Sequence, residues 1–233
     1  MERDAIEIPA PLCARTAGGL YLVIIAAGLS GELLIRARLI VPGDASATVA
    51  NLLASPALYR SGFAADALML LCDVAVAVLL YRLFKPVNAT LSLMAAAFRL
   101  TQAAILGANL LHYYAPLLLL SAPADSFHNA QLHGLVALFL ELHRHGYDLG
   151  LIFFGLSNII LGYLLIRSRS FPSLLGYGLL SAGVVYLAGS FVRFLAPSLS
   201  ASLEPAYLIP LAAELSFALW LLARGGDISK QHA

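Results

Sequence analysis

Long apolar blocks alternate with short polar connections along this chain. A helix that crosses a bilayer needs about 20 predominantly apolar residues. That length places candidate spans at about residues 16–38, 60–84, 90–119, 148–166, 172–195 and 206–223. Prolines such as Pro42, Pro86 and Pro172 fall between these blocks, where a missing N–H does no harm. The pattern predicts an all-α transmembrane bundle of six spans that forms a single domain over residues 1–233.

A seventh apolar segment, at about residues 128–143, is short and is bracketed by histidines and charged residues. The positive-inside rule favours six spans with both termini in the cytoplasm, since eight basic residues then lie inside and four outside. The inner set is Arg3, Arg15, Arg82, Lys85, Arg167, Arg169, Arg224 and Lys230, and the outer set is Arg36, Arg38, Arg60 and Arg144. We therefore predict that this segment is an amphipathic or re-entrant helix on the outer face. Seven spans is the alternative.

The connection after the first span predicts a second helix on the outer face. Pro42 and Gly43 indicate a turn, and Asp44 stands at the N-cap position of the apolar run 45–54. Two helical elements would then cap the outer face of the bundle.

Composition excludes a soluble domain. Hydrophobic residues make up 61% of the chain, charged residues 12%, and the mean hydropathy is +0.86. The lipid bilayer is therefore a partner of this protein. A net charge of +1 without a basic run gives no basis for nucleic-acid binding. The sequence does not indicate an oligomeric state.

Ionisable and amide residues occur inside the spans, mostly in their outer halves. A charge at bilayer depth costs about 2.5–3.5 kcal/mol, so such residues usually face each other, water or a ligand. We predict that they line a polar cavity open to the outer side, and the candidate residues are Glu32, Asp66, Asp73, Arg99, Gln102, Asn109, His112, Asp148, Arg193 and Glu214. Helix counting places Asp73 and Arg99 near the midplane, where we expect an ion pair.

The same residues have a simpler interpretation as contacts that hold helices together. Glu32 and Arg36 are one turn apart and can pair at the interface, and an Asp73–Arg99 pair can lock two helices. Pro116 and Pro210 each remove a backbone hydrogen bond in the outer half of a span; a broken helix there would line a binding cavity, and an ordinary kink is the alternative.

Catalytic and metal signatures are weak. His143, His145 and Asp148 form the one cluster with metal-ligand chemistry, but their spacing matches no known site and Gly146 interrupts the helical register. The sequence therefore predicts no metal and identifies no cofactor. Three classes stay open: binding or transport of a small polar or amphipathic solute; an enzyme that uses His112, His143 or His145 on a lipid, quinone or isoprenoid at the outer leaflet; and a structural or assembly protein.

Several segments together resemble a family catalogued as a domain of unknown function, number 4386, and the likeness covers essentially the whole chain. They are residues 39–44, 72–81, 98–100, 146–155 and 214–222. The resemblance implies a multi-spanning bacterial protein with no established activity, and we expect it in the cytoplasmic membrane. It therefore supplies no catalytic residues.

Overall fold

The computed structural model describes residues 9–123, 127–168 and 170–225. These residues form helices without strands, and six of the helices are long and apolar enough to cross a membrane. The prediction of an all-α polytopic bundle is confirmed.

The first span, Ala10–Leu39, consists of α1 (Ala10–Leu29), a π-helical segment (Ser30–Arg36) and α2 (Ala37–Leu39). The short helix α3 (Ala45–Ala54) follows, and Asp44 Oδ1 accepts a hydrogen bond from the Ala47 N–H at 2.8 Å. Asp44 is therefore the N-cap that the sequence predicts.

The remaining elements are long helices joined by short connections. They are α4 (Pro56–Phe84), α5 (Ala89–Leu120), α6 (Asn129–Arg167), α7 (Ser173–Leu195), two 3₁₀ turns (Pro197–Leu199 and Glu204–Tyr207) on either side of α8 (Ser200–Leu203), and α9 (Leu208–Arg224).

The six long helices form a closed ring. Helix α1 packs against α4, α4 against α5, α5 against α6, α6 against α7, α7 against α9, and α9 against α1. We call the end with the start of α1 and the α4–α5 and α6–α7 connections the terminal end. The end with α3 and the α7–α9 connection is the distal end.

Helix α6 corrects one prediction. Residues 128–143 are not a separate amphipathic or re-entrant helix, because a single helix runs from Asn129 to Arg167. Its 39 residues extend about 58 Å, well beyond a hydrocarbon core of about 30 Å. Gly146 does not interrupt this helix, since its bare backbone packs on the Asn109 side chain. The helix that contains the fourth span therefore begins at Asn129, well before residue 148.

Of the two alternatives for the prolines within spans, a broken helix is found at neither Pro116 nor Pro210. Pro210 lies in the first turn of α9, where its missing N–H has no intrahelical partner to lose. Pro116 lies inside α5, which continues to Leu120. The last span is instead interrupted before α9, by the 3₁₀ turns and α8.

Large apolar side chains cover the outside of the ring, as expected for a lipid-facing surface. Leu71, Leu111 and Leu174 are each more than 70% exposed. Charged residues such as Asp73 and Arg99 are at most 2% exposed. The polar groups therefore face the interior of the bundle.

Candidate functional site

A cluster of polar side chains lies at the centre of the ring, and each of the six long helices contributes at least one member. We call it the central network, and it consists of Tyr21 (α1), Asp73 (α4), Arg99 and Gln102 (α5), Asn158 (α6), Tyr186 (α7) and Glu214 (α9).

Arg99 and Asp73 form the ion pair that helix counting predicts. Arg99 Nε donates to Asp73 Oδ1 at 2.8 Å, and Nη2 lies 2.5 Å from the same oxygen. The Gln102 amide is oriented so that its nitrogen faces two acceptors. This nitrogen donates to Asp73 Oδ2 at 2.6 Å and to the Arg99 carbonyl at 3.2 Å. Both carboxylate oxygens of Asp73 are thus bound.

Aromatic rings hold the Arg99 guanidinium from two other helices. Its Cζ lies 4.7 Å from the Tyr21 ring centroid and 4.9 Å from that of Phe154. Nη1 also donates to the Tyr21 hydroxyl at 3.4 Å. Cation–π contacts strengthen when the cation is desolvated, and Arg99 is only 1% exposed. The guanidinium is therefore held by groups from α1, α4 and α6.

Glu214 forms the second half of the central network. Asn158 Nδ2 donates to Glu214 Oε1 at 2.9 Å, and the Tyr186 hydroxyl donates to the same carboxyl group. Within the described ranges, Glu214 has no cation at ion-pair distance. Its carboxyl group is held by neutral donors from α6 and α7.

Two buried atoms of this network lack a hydrogen-bond partner among the described residues. They are Arg99 Nη2, a donor whose contact with Asp73 is not aligned for a hydrogen bond, and Asn158 Oδ1, an acceptor. A buried polar atom without a partner is costly, and such atoms often mark the contacts of a ligand or an ordered water.

A narrow pocket reaches Arg99 from the terminal half of the bundle. It lies between α4, α5 and α6, and its lining includes Tyr81, Ser92, Ser157 and Arg99. It has room for about one water molecule.

Asp66 does not join the central network, although it lies on the same helix as Asp73. Arg36 Nη1 donates to Asp66 Oδ2 at 2.8 Å, and Arg36 Nε donates to Glu32 Oε2 at 2.7 Å. Arg36 ends the π-helical segment Ser30–Arg36. Glu32 is largely exposed, whereas Asp66 is buried. These three residues form a separate distal cluster.

Two tyrosines join α4 to α5 at the distal end. The Tyr59 hydroxyl donates to the Tyr113 carbonyl at 2.5 Å, and the Tyr113 hydroxyl donates to the Tyr59 carbonyl at 3.0 Å. Their rings stack with centroids 4.3 Å apart. The Tyr113 hydroxyl also packs on Gly62, where a side chain would collide with it.

Asn109, His112 and His143 also belong to the distal end. Asn109 Nδ2 donates to the His143 carbonyl at 2.7 Å, and Asn109 Oδ1 lies 3.0 Å from His112 Nδ1. These contacts join α5 to α6. The structure therefore places Asn109 and His112 apart from Arg99 and Glu214, with which the sequence groups them.

Asp148 pairs with Arg193, which joins α6 to α7. His145 contacts Glu141 of its own helix and the Phe194 ring, while His143 faces Asn109. Two residues apart on one continuous helix, these histidines point to different neighbours. Among the described residues, no three His, Cys, Asp or Glu side chains form a group that could hold a metal ion.

Tyr21 and Tyr186 were missed by the sequence analysis, and Asn158 was not included among the candidate residues. A phenol hydroxyl in an apolar span needs a partner, which is the signal that could have identified both tyrosines. Tyrosine also favours bilayer interfaces, so that signal alone is not specific.

Comparison with known proteins identifies a family. A family model described as "Domain of unknown function (DUF4386)" matches residues 16–225. An archaeal relative from Archaeoglobus fulgidus, described as an uncharacterized protein, is 29% identical over 163 residues, which cover 70% of this chain and 83% of the relative. No solved structure matches. With nearly its whole length matched by that model, this chain belongs to the family of membrane proteins that carry the domain of unknown function 4386.

Proposed function

We propose that this protein binds a small polar or amphipathic solute at the central network and carries it across the membrane. The observation that carries the proposal is that all six long helices meet at one buried set of charged, amide and phenol groups. A solute bound at such a site contacts groups from several helices, so its binding favours one arrangement of the helices in the ring.

The free-energy cost of placing the charged residues of the central network inside a membrane supports a role beyond helix packing. A charge near the middle of a bilayer costs about 2.5–3.5 kcal/mol even on the scale derived from insertion experiments. Small side chains, in contrast, join helices at little cost, and the α6–α7 interface uses glycines in that way. Packing alone therefore does not require Arg99, Asp73 and Glu214 at the centre.

The unpaired atoms indicate which solute chemistry would fit. Arg99 Nη2 is ion-paired with Asp73 but has no aligned hydrogen bond, so it can still donate, and Asn158 Oδ1 offers an acceptor beside the Glu214 carboxyl group. A solute with an anionic or strongly accepting group at one end and a donor at the other complements both. The pocket at Arg99 is small, so a solute larger than water requires the helices to separate.

We further propose a location in the cytoplasmic membrane with the terminal end facing the cytoplasm. Arg15, Arg82, Lys85, Arg167 and Arg224 lie at or near the terminal end, which is the bias that the positive-inside rule expects of a cytoplasmic face.

Native mass spectrometry with extraction of bound small molecules tests the proposal. The wild-type protein is compared with Asp73→Asn and with Asp66→Asn. Asp66 is the matched control because it lies on the same helix, is 2% exposed like Asp73, and also pairs with an arginine. We expect wild type and Asp66→Asn to retain a discrete small molecule that Asp73→Asn loses.

Thermal unfolding of the same three proteins separates binding from folding. Both variants remove one partner of a buried ion pair, so both should unfold at a lower temperature than wild type. If neither wild type nor Asp66→Asn holds a molecule, and the two variants differ only in stability, the central network is a packing device and the protein is structural.

The alternative function, an enzyme for a lipid, quinone or isoprenoid, depends on histidine as the proton carrier. His143 is buried and bonded to Asn109 at the distal end, apart from Glu214. A co-purified lipid that is chemically altered by wild type and left unaltered by His143→Gln would favour the enzyme.

A further inference from the structure

We propose that the Glu214 carboxyl group is a site that binds and releases a proton, and that the bound proton is shared with the Asn158 side chain. This deepens the proposed function and rests on it for its biological use. A carboxyl group that takes up and releases a proton beside the solute allows transport to be coupled to protons.

The charges of the central network do not balance without a proton. Asp73 and Glu214 are acidic, and Arg99 is the one basic member of the network. Asp73 is paired with Arg99, whereas Glu214 forms no ion pair with any cation in the described part of the chain. With both carboxyl groups ionised, the network would hold one uncompensated negative charge. A proton on Glu214 makes it neutral.

The surroundings of Glu214 disfavour a carboxylate without a cation. Glu214 is 6% exposed, and Asn158 is fully buried. One turn along α9, Phe217 is also fully buried, and its ring packs edge-on against the Tyr21 ring with centroids 6.1 Å apart. Burial penalises the charged form of a carboxyl group, and a buried acid without a cation is neutralised by taking up a proton.

Asn158 supplies a partner for the protonated carboxyl group. Its Nδ2 donates to Glu214 Oε1 at 2.9 Å, while its Oδ1 is a buried acceptor with no hydrogen-bond partner among the described residues. An ionised carboxylate has no hydrogen to donate, whereas a protonated one has an O–H group. A carboxyl group beside a carboxamide can both accept from its N–H and donate to its C=O. Protonation therefore gives Asn158 Oδ1 the donor that it lacks.

The other groups around Glu214 are compatible with this proton. The Tyr186 hydroxyl donates to the carboxyl group, and the carbonyl oxygen of the acid has two lone pairs, which can accept from both Tyr186 and Asn158. Arg99 attracts the ionised form and Asp73 repels it, but Arg99 is already paired with Asp73. The charged, titratable and amide groups that act on Glu214 from the other long helices are Tyr21 (α1), Asp73 (α4), Arg99 (α5), Asn158 (α6) and Tyr186 (α7).

The proton and a solute would use the same acceptor. The donor end of a bound solute would take the place of the Glu214 O–H group at Asn158 Oδ1, and the O–H bond would then break with release of its proton to water. Solute binding should therefore be favoured at higher pH.

Infrared spectroscopy tests the proton site, because a protonated carboxyl group has a C=O stretching band that an ionised carboxylate lacks. The full chain is reconstituted in lipid with its glutamates isotope-labelled at the carboxyl carbon, which separates their bands from those of the aspartates. Spectra are recorded at about pH 6 and about pH 9, where an exposed glutamate, with a pKa of about 4.3, is ionised throughout.

Three proteins are compared: wild type, Glu214→Gln and Glu32→Gln. Glu32 is the matched control because it is also a glutamate inside a span, but it is largely exposed and paired with Arg36. We expect wild type and Glu32→Gln to show the band of a protonated, labelled glutamate at the lower pH and to lose it at the higher pH. Glu214→Gln should lack the band at both. Asn158→Leu should shift the band to higher frequency, because the carboxyl group loses its hydrogen-bond partner.

Absence of the band from wild type at the lower pH, its persistence in Glu214→Gln, or a band that is the same at both pH values would overturn the proton site. An unshifted band in Asn158→Leu would overturn the sharing with Asn158. If Glu214→Gln does not yield a monodisperse protein, Glu214→Asp keeps a carboxyl group but takes it out of the glutamate label, so the labelled band should again disappear.

Native mass spectrometry of wild type at the same two pH values tests the competition with solute. More of the retained molecule is expected at the higher pH, and equal or greater retention at the lower pH would contradict the competition. The infrared spectra require no solute. Failure of the proposed function, shown by the Asp73→Asn and Asp66→Asn comparison, is therefore distinguishable from failure of the proton site.

Discussion

The close contact of glycines between α6 and α7 permits a quantitative prediction about the stability of this helix pair. Gly162 and Gly176 face each other across the two helices, and Gly155 and Gly183 do the same two turns away. A Cβ added to Gly162 would lie 2.6 Å from the Gly176 carbonyl oxygen, and a Cβ on Gly176 would lie 2.6 Å from the Gly162 carbonyl oxygen. The helices therefore touch through their backbones.

Gly162→Ala should force these helices apart. An ordinary contact begins at 3.4 Å, so a contact of 2.6 Å must lengthen by about 0.8 Å. Overpacking of this kind typically costs about 1–3 kcal/mol. Alanine favours the helix over glycine by up to about 1 kcal/mol, which offsets part of this cost. The net expectation is a loss of about 1–2 kcal/mol in the free energy of unfolding.

Gly107→Ala is the matched control, because Gly107 lies inside a long helix, α5, with nothing within 4 Å of its added Cβ. Its free energy of unfolding should stay unchanged or rise by up to about 1 kcal/mol. Unfolding in detergent by titration with sodium dodecyl sulfate, followed by circular dichroism, measures both variants. Equal stability of Gly162→Ala and Gly107→Ala would refute the close contact between α6 and α7.

Three further predictions concern the network and the distal end. Asp73→Asn and Arg99→Gln should each lower the free energy of unfolding by about 3–5 kcal/mol, and the double variant should lose clearly less than the two together; additive losses in a double-mutant cycle would contradict the ion pair. Tyr113→Phe should cost about 1 kcal/mol through its lost hydrogen bond to the Tyr59 carbonyl, which thermal unfolding can detect, and unchanged stability would count against that bond. Asp44→Ala should remove an N-cap worth about 1 kcal/mol and speed amide hydrogen exchange in α3, whereas unchanged exchange would show that the cap is dispensable.

The number and type of the spans could be predicted from the sequence, because both are local properties of the chain. A run of about 20 apolar residues forms a helix in lipid wherever it occurs, since every backbone polar group must be satisfied internally. The Asp44 cap is local in the same sense and was also predicted. Counting residues along α4 and α5 predicted that Asp73 and Arg99 lie at the same level of the bundle, because the rise per residue of a helix is fixed, and their ion pair confirms it.

The ion-pair partners of the acidic residues on α4, in contrast, could not be predicted from the sequence. Asp66 and Asp73 share a face of α4, yet Arg36 binds the first and Arg99 the second. The partner of Asp66 depends on the π-helical segment before α2, for which the sequence carries no recognised signal. The extent of α6 also depended on packing, since Gly146 is accommodated by its contact with Asn109.

The sequence by itself therefore determined the class of protein, the approximate apolar helices and the common level of Asp73 and Arg99, because these follow from local hydropathy and helix geometry. Only the tertiary structure decided which charges meet, that Tyr21 and Tyr186 complete the central network, and that a small pocket lies beside Arg99 between α4, α5 and α6. The physical reason is that these features depend on the order of six helices around a ring and on the rotation of each helix about its axis. Both are set by contacts between distant parts of the chain.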